Sequence, residues 1–335
     1  MKNNSSINFY KWTINDYKSL FNSLKQYLNI ESCQFYMPFF SLYYYIHNTK
    51  KSHKKIDLHR KYYIRGVQNI INQKYYNSNL ILEGLIYDSS KKINEIKEVF
   101  CKTIPILEPI HCINNNYNLI NKNNYHLPSN YNYNTFNKIN DINNTAYIDV
   151  ICSYLFSQLV VNKILPSFAL FYGSVNGIGD YKYDITEDYE ELKIDKCFNK
   201  NINKSFKMKV YISSDEEDPD SDEEFVDDEK KYDSDESSDY SYQESNSNND
   251  YVSNINKIPL QLLFIEKLEG TLEDYILDTN VSENVILSCI FQISFALNYL
   301  QKHFKFTHND LHISNVMYSN TDIKYLYYKI NNKYF

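Results

Sequence analysis

Residues 306–318 read Phe-Thr-His-Asn-Asp-Leu-His-Ile-Ser-Asn-Val-Met-Tyr. They place one carboxylate, Asp310, between two imidazoles, His308 and His312, with a carboxamide, Asn315, five residues on. A positioned carboxylate can take a proton from a hydroxyl. A carboxamide oxygen is a neutral ligand for a hard cation. Far upstream, Lys102 closes the apolar run Val99-Phe-Cys-Lys and puts a positive charge in a strand-like segment. A base, a cation ligand and a fixed cation suit phosphoryl transfer, which is mostly positioning and charge neutralisation.

His308, Asp310, Leu311 and Asn315 fall on the fixed positions of H-x-D-L-x-x-x-N, and the run resembles the catalytic loop of the protein-kinase-like superfamily. The resemblance covers about residues 61–335 and is specific near 260–318. It looks most like the divergent kinase-like proteins of large DNA viruses, with their His-Asn-Asp-Leu-His loops, inserted acidic tracts and Tyr-Leu-Tyr-Tyr-Lys hairpins. It implies a serine/threonine protein kinase that uses ATP and Mg²⁺ and has a protein substrate. By this resemblance Asp310 orients the acceptor hydroxyl and takes its proton, Asn315 holds Mg²⁺, and His308 braces the loop. Phe264-Ile-Glu-Lys-Leu-Glu-Gly-Thr-Leu272 resembles the hinge between kinase lobes. That makes Ile265 the gatekeeper and turns the C=O of Glu266 and the N–H of Leu268 to the adenine edge. Val99–Lys102 resembles the V-A-I-K of strand three, with Lys102 on the α/β-phosphates.

Departures from the pattern define what the structure has to answer. No Glu stands between 109 and 186 to pair with Lys102; Asp149 is the one acid in the following helical segment. It is either that partner or a complement to the helix dipole. No G-x-G-x-x-G precedes Lys102, and only Gly66 and Gly84 lie upstream, so any phosphate-covering loop is degenerate. Asn309 replaces the usual Arg before the catalytic Asp, and His312 stands where serine/threonine kinases have Lys. The 20 residues after Asn315 hold no D-F-G. The expectation is a chain that ends before the DFG segment, the activation loop and the later C-lobe helices, and that exposes apolar surface as a result. Three readings follow: a serine/threonine protein kinase or the N-terminal part of one, completed by a C-terminal kinase fragment; a small-molecule kinase of aminoglycoside or choline type; and a catalytically dead pseudokinase or truncated gene product.

The elements that must position these residues are legible as periodicities. Tyr17, Leu20, Phe21, Leu24 and Leu28 predict a helix over 14–28, within an N-terminal helical extension 1–60 that also holds an aromatic-rich stretch, 35–46, and a basic cluster, 50–61. Residues 79–87 and 98–107 read as strands around a turn at Asp88–Lys92. A polar loop, 113–144, precedes a helix over 145–161 with Thr145 as N-cap and Ile148, Ile151, Cys152, Leu155 and Leu159 on one face. Pro166–Ser174 and Pro259–Glu266 read as strands, and Leu272–Leu277 as a short helix. A long helix over 284–302 carries the stripe Val285, Ile286, Cys289, Ile290, Ile293, Ala296, Leu297 and Leu300. Lys324–Phe335 reads as a hairpin turning near Asn331-Asn332. The expected fold is α+β and kinase-like: an N-lobe over 61–268 with a disordered acidic insert, 207–252, between strands four and five, and the start of a C-lobe over 269–335.

Charge and composition bound the rest. The net charge is −7, yet residues 213–250 alone hold 17 acidic residues and 2 lysines. The remaining chain has 33 Lys and Arg against 25 acids, a mildly basic body. The acidic tract cannot bury apolar surface and is expected to be disordered. Its Ser214, Ser221 and Ser234, each followed by acids, suit an acid-directed kinase. Six cysteines without CxxC spacing predict reduced, buried thiols. The start lacks a signal-peptide pattern, and the most apolar stretch, 147–172, is interrupted by Asp149, Gln158, Asn162, Lys163 and Pro166. A cytoplasmic protein with no membrane and no nucleic-acid partner is expected, since the basic residues are scattered.

Overall fold

The structure, a computed structural model, describes residues 14–38, 61–74, 76–119, 127–129, 136–212, 249–278, 281–330 and 333–334. The fold is α+β with a largely antiparallel main sheet. The chain forms two compact units, Met1–Ser153 with Phe171–Ile265 and Tyr154–Leu170 with Glu266–Phe335.

The first unit begins with α1, Ile14–Leu28, and β1, Glu31–Gln34. A meander follows: β2, Tyr62–Gln73, β3, Leu80–Asp88, and β4, Ile93–Pro105. Short helices α2, Pro109–Ile113, and α3, Asn137–Asn140, lead to α4, Thr145–Val161, which enters the second unit from Tyr154 on. Then come β5, Phe171–Asp184, helices α5, Tyr189–Leu192, and α6, Lys196–Asn201, strand β6, Phe206–Ile212, and β7, Asn249–Glu266. The sheet order is β1-β5-β7-β4-β3-β2, with β6 also paired to β7.

Residues 14–38 of the expected N-terminal extension pack on this sheet and add a strand to it. Leu20 and Leu24 of α1 are fully buried, and Ser23 Oγ accepts a hydrogen bond from the Val67 N–H at 2.9 Å. Strand β1 pairs with β5, and Ile30 beside it lies over β5 where Gly177 and Gly179 leave room. The β3–β4 turn is held by the buried Asp88, whose Oδ1 accepts from the N–H groups of Ser90 and Lys91 at 2.8 and 3.1 Å.

The described parts of the polar segment 113–144 are tied back more closely than its composition predicts. Glu108 pairs with Lys138 of α3 at 2.6 Å and accepts from the Tyr117 hydroxyl. Asn144 Nδ2 donates to the C=O groups of Ile106 and Lys138, at 2.8 and 3.0 Å. The Asn144 Oδ1 accepts from the Ala146 N–H at 3.0 Å, so Asn144 and not Thr145 caps α4. The buried face of α4 is also displaced from the expected one. Ala146, Tyr147, Val150, Tyr154, Ser157 and Leu159 are buried, whereas Ile148 is exposed, because the Tyr147 hydroxyl has an internal partner in the Ile139 C=O.

Two strand boundaries also differ from expectation. The segment Pro166–Ser174 is strand only from Phe171 on, and the strand continues to Asp184. Residues 207–212 and 249–252, read as part of the acidic insert, are a paired ladder from Phe206↔Ile255 to Ile212↔Asn249. Phe206, Val252 and Ile255 are buried there, which the acidic bias of the neighbouring sequence masks. Residues 213–248, with Ser214, Ser221 and Ser234, lie outside the described residues, as do 39–60 and the turn at 331–332.

The second unit holds β8, Gly270–Thr271, α7, Leu272–Asp278, α8, Glu283–Phe304, a 3₁₀ turn over Ile313–Asn315, and β9, Met317–Tyr318. The short strands β10, Lys329–Ile330, and β11, Lys333–Tyr334, form the expected hairpin. Leu159, Leu165 and Leu300 form its core with Phe156, Phe168, Phe295, Tyr299 and Phe306 around them. Only the C-terminal half of α8 is buried in this way. Val285, Ile286, Leu287, Ile290 and Phe291 are exposed, as expected for a helix with little packed on its first turns. Among the described residues α8 is the one helix long and apolar enough to cross a membrane by length and composition. All six cysteines are free; Cys101 and Cys112 are buried, and burial pushes both thiols up to about 12, while Cys197 is exposed.

Two outcomes follow from these contacts. A Cβ on Gly177 would lie 2.2 Å from Ile30 Cγ2 and 3.2 Å from the Glu31 C=O. Gly177→Ala is therefore expected to destabilise the chain by about 1–3 kcal/mol in urea unfolding, with part of the loss restored by Ile30→Ala in the same chain. Full additivity of the two changes would contradict the contact. At Glu108 burial raises the carboxyl pKa, but hydrogen bonds from Lys138 and Tyr117 outweigh it and lower the value from 4.5 to about 2. A depressed carboxylate contributes stability that is present above its unfolded value and is lost as pH falls through the folded one. The stability difference between wild type and Glu108→Gln should thus shrink as pH falls from about 4.5 to 2, and a difference that stays constant would refute it.

Candidate active site

The first group of candidate residues lies on β4 and α4. Strand β4 alternates Val99, Cys101 and Thr103, all buried, with Phe100 and Lys102, half-buried on the opposite face. Lys102 Nζ donates to Asp149 Oδ2 at 2.6 Å, with the two side chains 44% and 33% exposed. Asp149 is thus the lysine's partner, and the Asn144 cap fixes the start of the helix that presents it. A lysine held this way keeps its ammonium at a defined place on the sheet face.

Beside Lys102 is the β2–β3 turn, since Leu80 pairs with Cys101. The turn, residues 74–79, contains no glycine; Gly66 and Gly84 stand inside strands instead. Side chains pin it down. Asn79 Oδ1 accepts from the Thr103 N–H at 3.1 Å, and Ser78 Oγ accepts from the Lys182 N–H at 2.7 Å.

The expected hinge residues lie at the end of β7. Ile265 pairs with Phe171. The Glu266 N–H donates to the Leu170 C=O at 2.8 Å, and Glu266 Oε2 accepts from the Leu170 N–H at 3.1 Å. Leu268 follows in an irregular segment before β8.

The second group forms a loop within the second unit. Helix α8 ends in left-handed Lys305, with the Phe306 N–H reaching back to the Leu300 C=O. Asn309 has φ 43°, a conformation for which asparagine is enriched among non-glycine residues, and that suits it to the position before Asp310. The Asp310 N–H donates to the His308 C=O across it, so His308 braces the loop through its backbone. Its ring meets Phe306 edge-on, and Nδ1 is buried with no hydrogen-bond partner among the described residues.

Downstream the loop is tied to α7. Thr271 and Gly270 pair with Met317 and Tyr318, the Leu272 N–H donates to the Val316 C=O at 2.6 Å, and the Ser314 hydroxyl donates to Glu273. Asn315 Nδ2 lies 3.0 Å from the Asp310 C=O, 3.0 Å from Asp310 Oδ2 and 2.8 Å from His312 Nε2. Asp310 and His312 side chains are 81% and 51% exposed, so hydrogen bonds rather than packing arrange this cluster.

The structure therefore joins Lys102 to Asp149, and Asp310 to Asn315 and His312; the two groups belong to different units. Sequence reasoning did not find the His312 contact or the Ser314–Glu273 tie. A signal for the first existed, because residues three apart in a 3₁₀ turn eclipse one another. Among the described residues no group of three or more His, Cys, Asp and Glu side chains forms a metal cage. No protein-family model, curated protein or solved structure matches this chain.

The exposure of the Lys102–Asp149 pair limits its contribution to stability to about 0–1 kcal/mol. A double-mutant cycle of Lys102→Ala and Asp149→Ala in thermal unfolding should return a coupling below about 1 kcal/mol. A coupling of several kcal/mol would contradict the weak contribution that this exposure implies.

Proposed function

We propose that this protein is a protein-kinase-like phosphotransferase that moves the γ-phosphate of ATP to a protein serine or threonine hydroxyl. The observation that carries the reading is the 2.6 Å contact between Lys102 and Asp149. The resemblance marks Lys102 as a phosphate clamp and requires an acid from the next helix, and Asp149 is there. The order of parts supports it as well. A three-strand meander with Lys102 on its third strand is followed by a helix, by β5 and β7, and by a loop with Asp310 and Asn315.

In this reading Lys102 holds the α/β-phosphates and Asp149 keeps its ammonium in place. The adenine edge meets the backbone at Glu266 and Leu268 beside Ile265. Asp310 accepts the proton of the attacking hydroxyl as the new oxygen–phosphorus bond forms and the bond to the β-phosphate oxygen breaks. In the same reading Mg²⁺ would be held at Asn315, whose Oδ1 is left for a hard cation while Nδ2 faces Asp310 and His312. Mg²⁺, when bound, supplies charge neutralisation at the phosphates. In this reading the enzyme acts in the cytoplasm, and a C-terminal kinase fragment is its candidate partner.

A second reading, a kinase of amino-sugars or choline, is favoured by one observation. His312, not a lysine, adjoins Asp310 and Asn315. A third, a catalytically dead pseudokinase or truncated gene product, is separated by the same assay. Transfer of labelled phosphate from ATP to a basic protein, against transfer to amino-sugars and choline, decides among them. Asp310→Ala should lower transfer by about 100-fold or more while nucleotide affinity stays within a few-fold. Lys102→Ala should weaken nucleotide binding by about tenfold or more. Undiminished transfer in Asp310→Ala overturns the assignment.

A further inference from the structure

Strands β1, β5 and β7 carry a row of three side-chain amides. Gln34 pairs with Asn176 in the β1–β5 ladder, and Asn176 pairs with Gln261 in the β5–β7 ladder. Direct cross-strand partners share one face of a sheet, with Cβ atoms about 4.5–5.5 Å apart. Gln34 is half-buried and donates through Nε2 to the Pro128 C=O at 2.8 Å. Asn176 is 1% exposed, and Gln261, between Leu260 and Leu262, is fully buried.

Each buried amide is oriented by its nitrogen. Asn176 Nδ2 donates to the Tyr36 C=O, and Gln261 Nε2 donates to the Leu262 C=O at 3.2 Å. Turning either amide over would set its oxygen against a carbonyl oxygen, so Asn176 Oδ1 and Gln261 Oε1 are the ends left over. Both oxygens are buried, and neither has a donor among the described residues. Both can only accept, so neither serves the other. Buried acceptors are costly to leave unpaired, and two of them side by side call for one molecule that donates twice. Ser253, fully buried on the same strand, differs: its partners Tyr183 and Met208 set no second amide beside it.

We propose that Asn176 Oδ1 and Gln261 Oε1 are the two ends of an internal binding site for a single water molecule, which donates one O–H to each and bridges β5 to β7. Water is the smallest molecule with two donors, and buried waters typically make about three hydrogen bonds to groups of this kind. Ser174, two residues before Asn176 on the same face of β5 and 9% exposed, offers a hydroxyl for the water's own oxygen. The site is independent of phosphate transfer. Because the Asn176 nitrogen holds the Tyr36 C=O, one side chain ties the bridge at one end and the N-terminal segment at the other.

The test uses the full chain with ¹⁵N-labelled asparagine and glutamine. Water-selective nuclear Overhauser spectra should show a long-lived water in contact with the side-chain NH₂ protons of both Asn176 and Gln261. A crystal structure that shows ordered solvent should place one water about 2.7–3.2 Å from both oxygens. Gln261→Met is similar in length and removes one of the two acceptors. It should abolish the water contact at Asn176, while the Asn176 NH₂ resonances, held by the Tyr36 C=O, stay near wild type. Three wild-type results overturn the proposal: no water between the two oxygens, a water on one of them alone, or a protein donor in its place. A water contact at Asn176 that persists in Gln261→Met overturns it as well. Should that variant not fold, the wild-type measurements decide alone.

Discussion

Strand β7 is the constraint on which the first unit depends. It runs from Asn249 to Glu266 and pairs with β5 over most of its length, with β6 at its start, and lies next to β4 in the sheet. Residues Ile258, Leu260, Leu262, Leu263 and Phe264 are all buried to within 1%. A strand buried on both faces must find backbone partners on both edges, because an unpaired peptide group there has no water to turn to. The neighbours β4 and β5 are thereby fixed, and with them the position of Lys102. The same strand ends at Glu266, whose N–H and carboxylate both engage Leu170.

The loop around Asp310 is held differently. Its side chains are exposed, and its shape comes from local hydrogen bonds: a left-handed residue at Asn309, a 3₁₀ turn, a two-residue ladder and a serine bonded to Glu273. Such an arrangement tolerates changes in apolar content but not in hydrogen-bonding type. Asn309, His312, Ser314 and Asn315 are small or polar because each offers a donor, an acceptor or a backbone conformation that an aliphatic side chain lacks.

What the sequence made legible follows from how local each signal is. The helices 14–28, 145–161 and 283–304, the strand ending at Glu266 and the Asp88 turn each carry their pattern within a few residues. Strand β6 was not legible, because a short strand beside a run of acids reads as part of that run, and its burial comes from partners far along the chain. The face of α4 was misread because its tyrosines are buried with a hydroxyl partner, which hydrophobicity alone does not anticipate. In the site, the spacing of Asp310 and Asn315 was visible as a motif. The pairing of Lys102 with Asp149 was one of two open readings, since 47 residues separate them and only the fold decides.

The β6–β7 ladder has a consequence for the acidic stretch between its strands. Ile212 and Asn249 are direct cross-strand partners, so residues 213–248 leave and rejoin the sheet at adjacent positions. The sheet therefore fixes two exit points about one strand spacing apart and nothing about what joins them. The ladder of Phe206–Ile212 with Asn249–Ile255 sets the register at which those two points stand. A segment joined there begins and ends at one place on the sheet, so its two ends share one location on the protein.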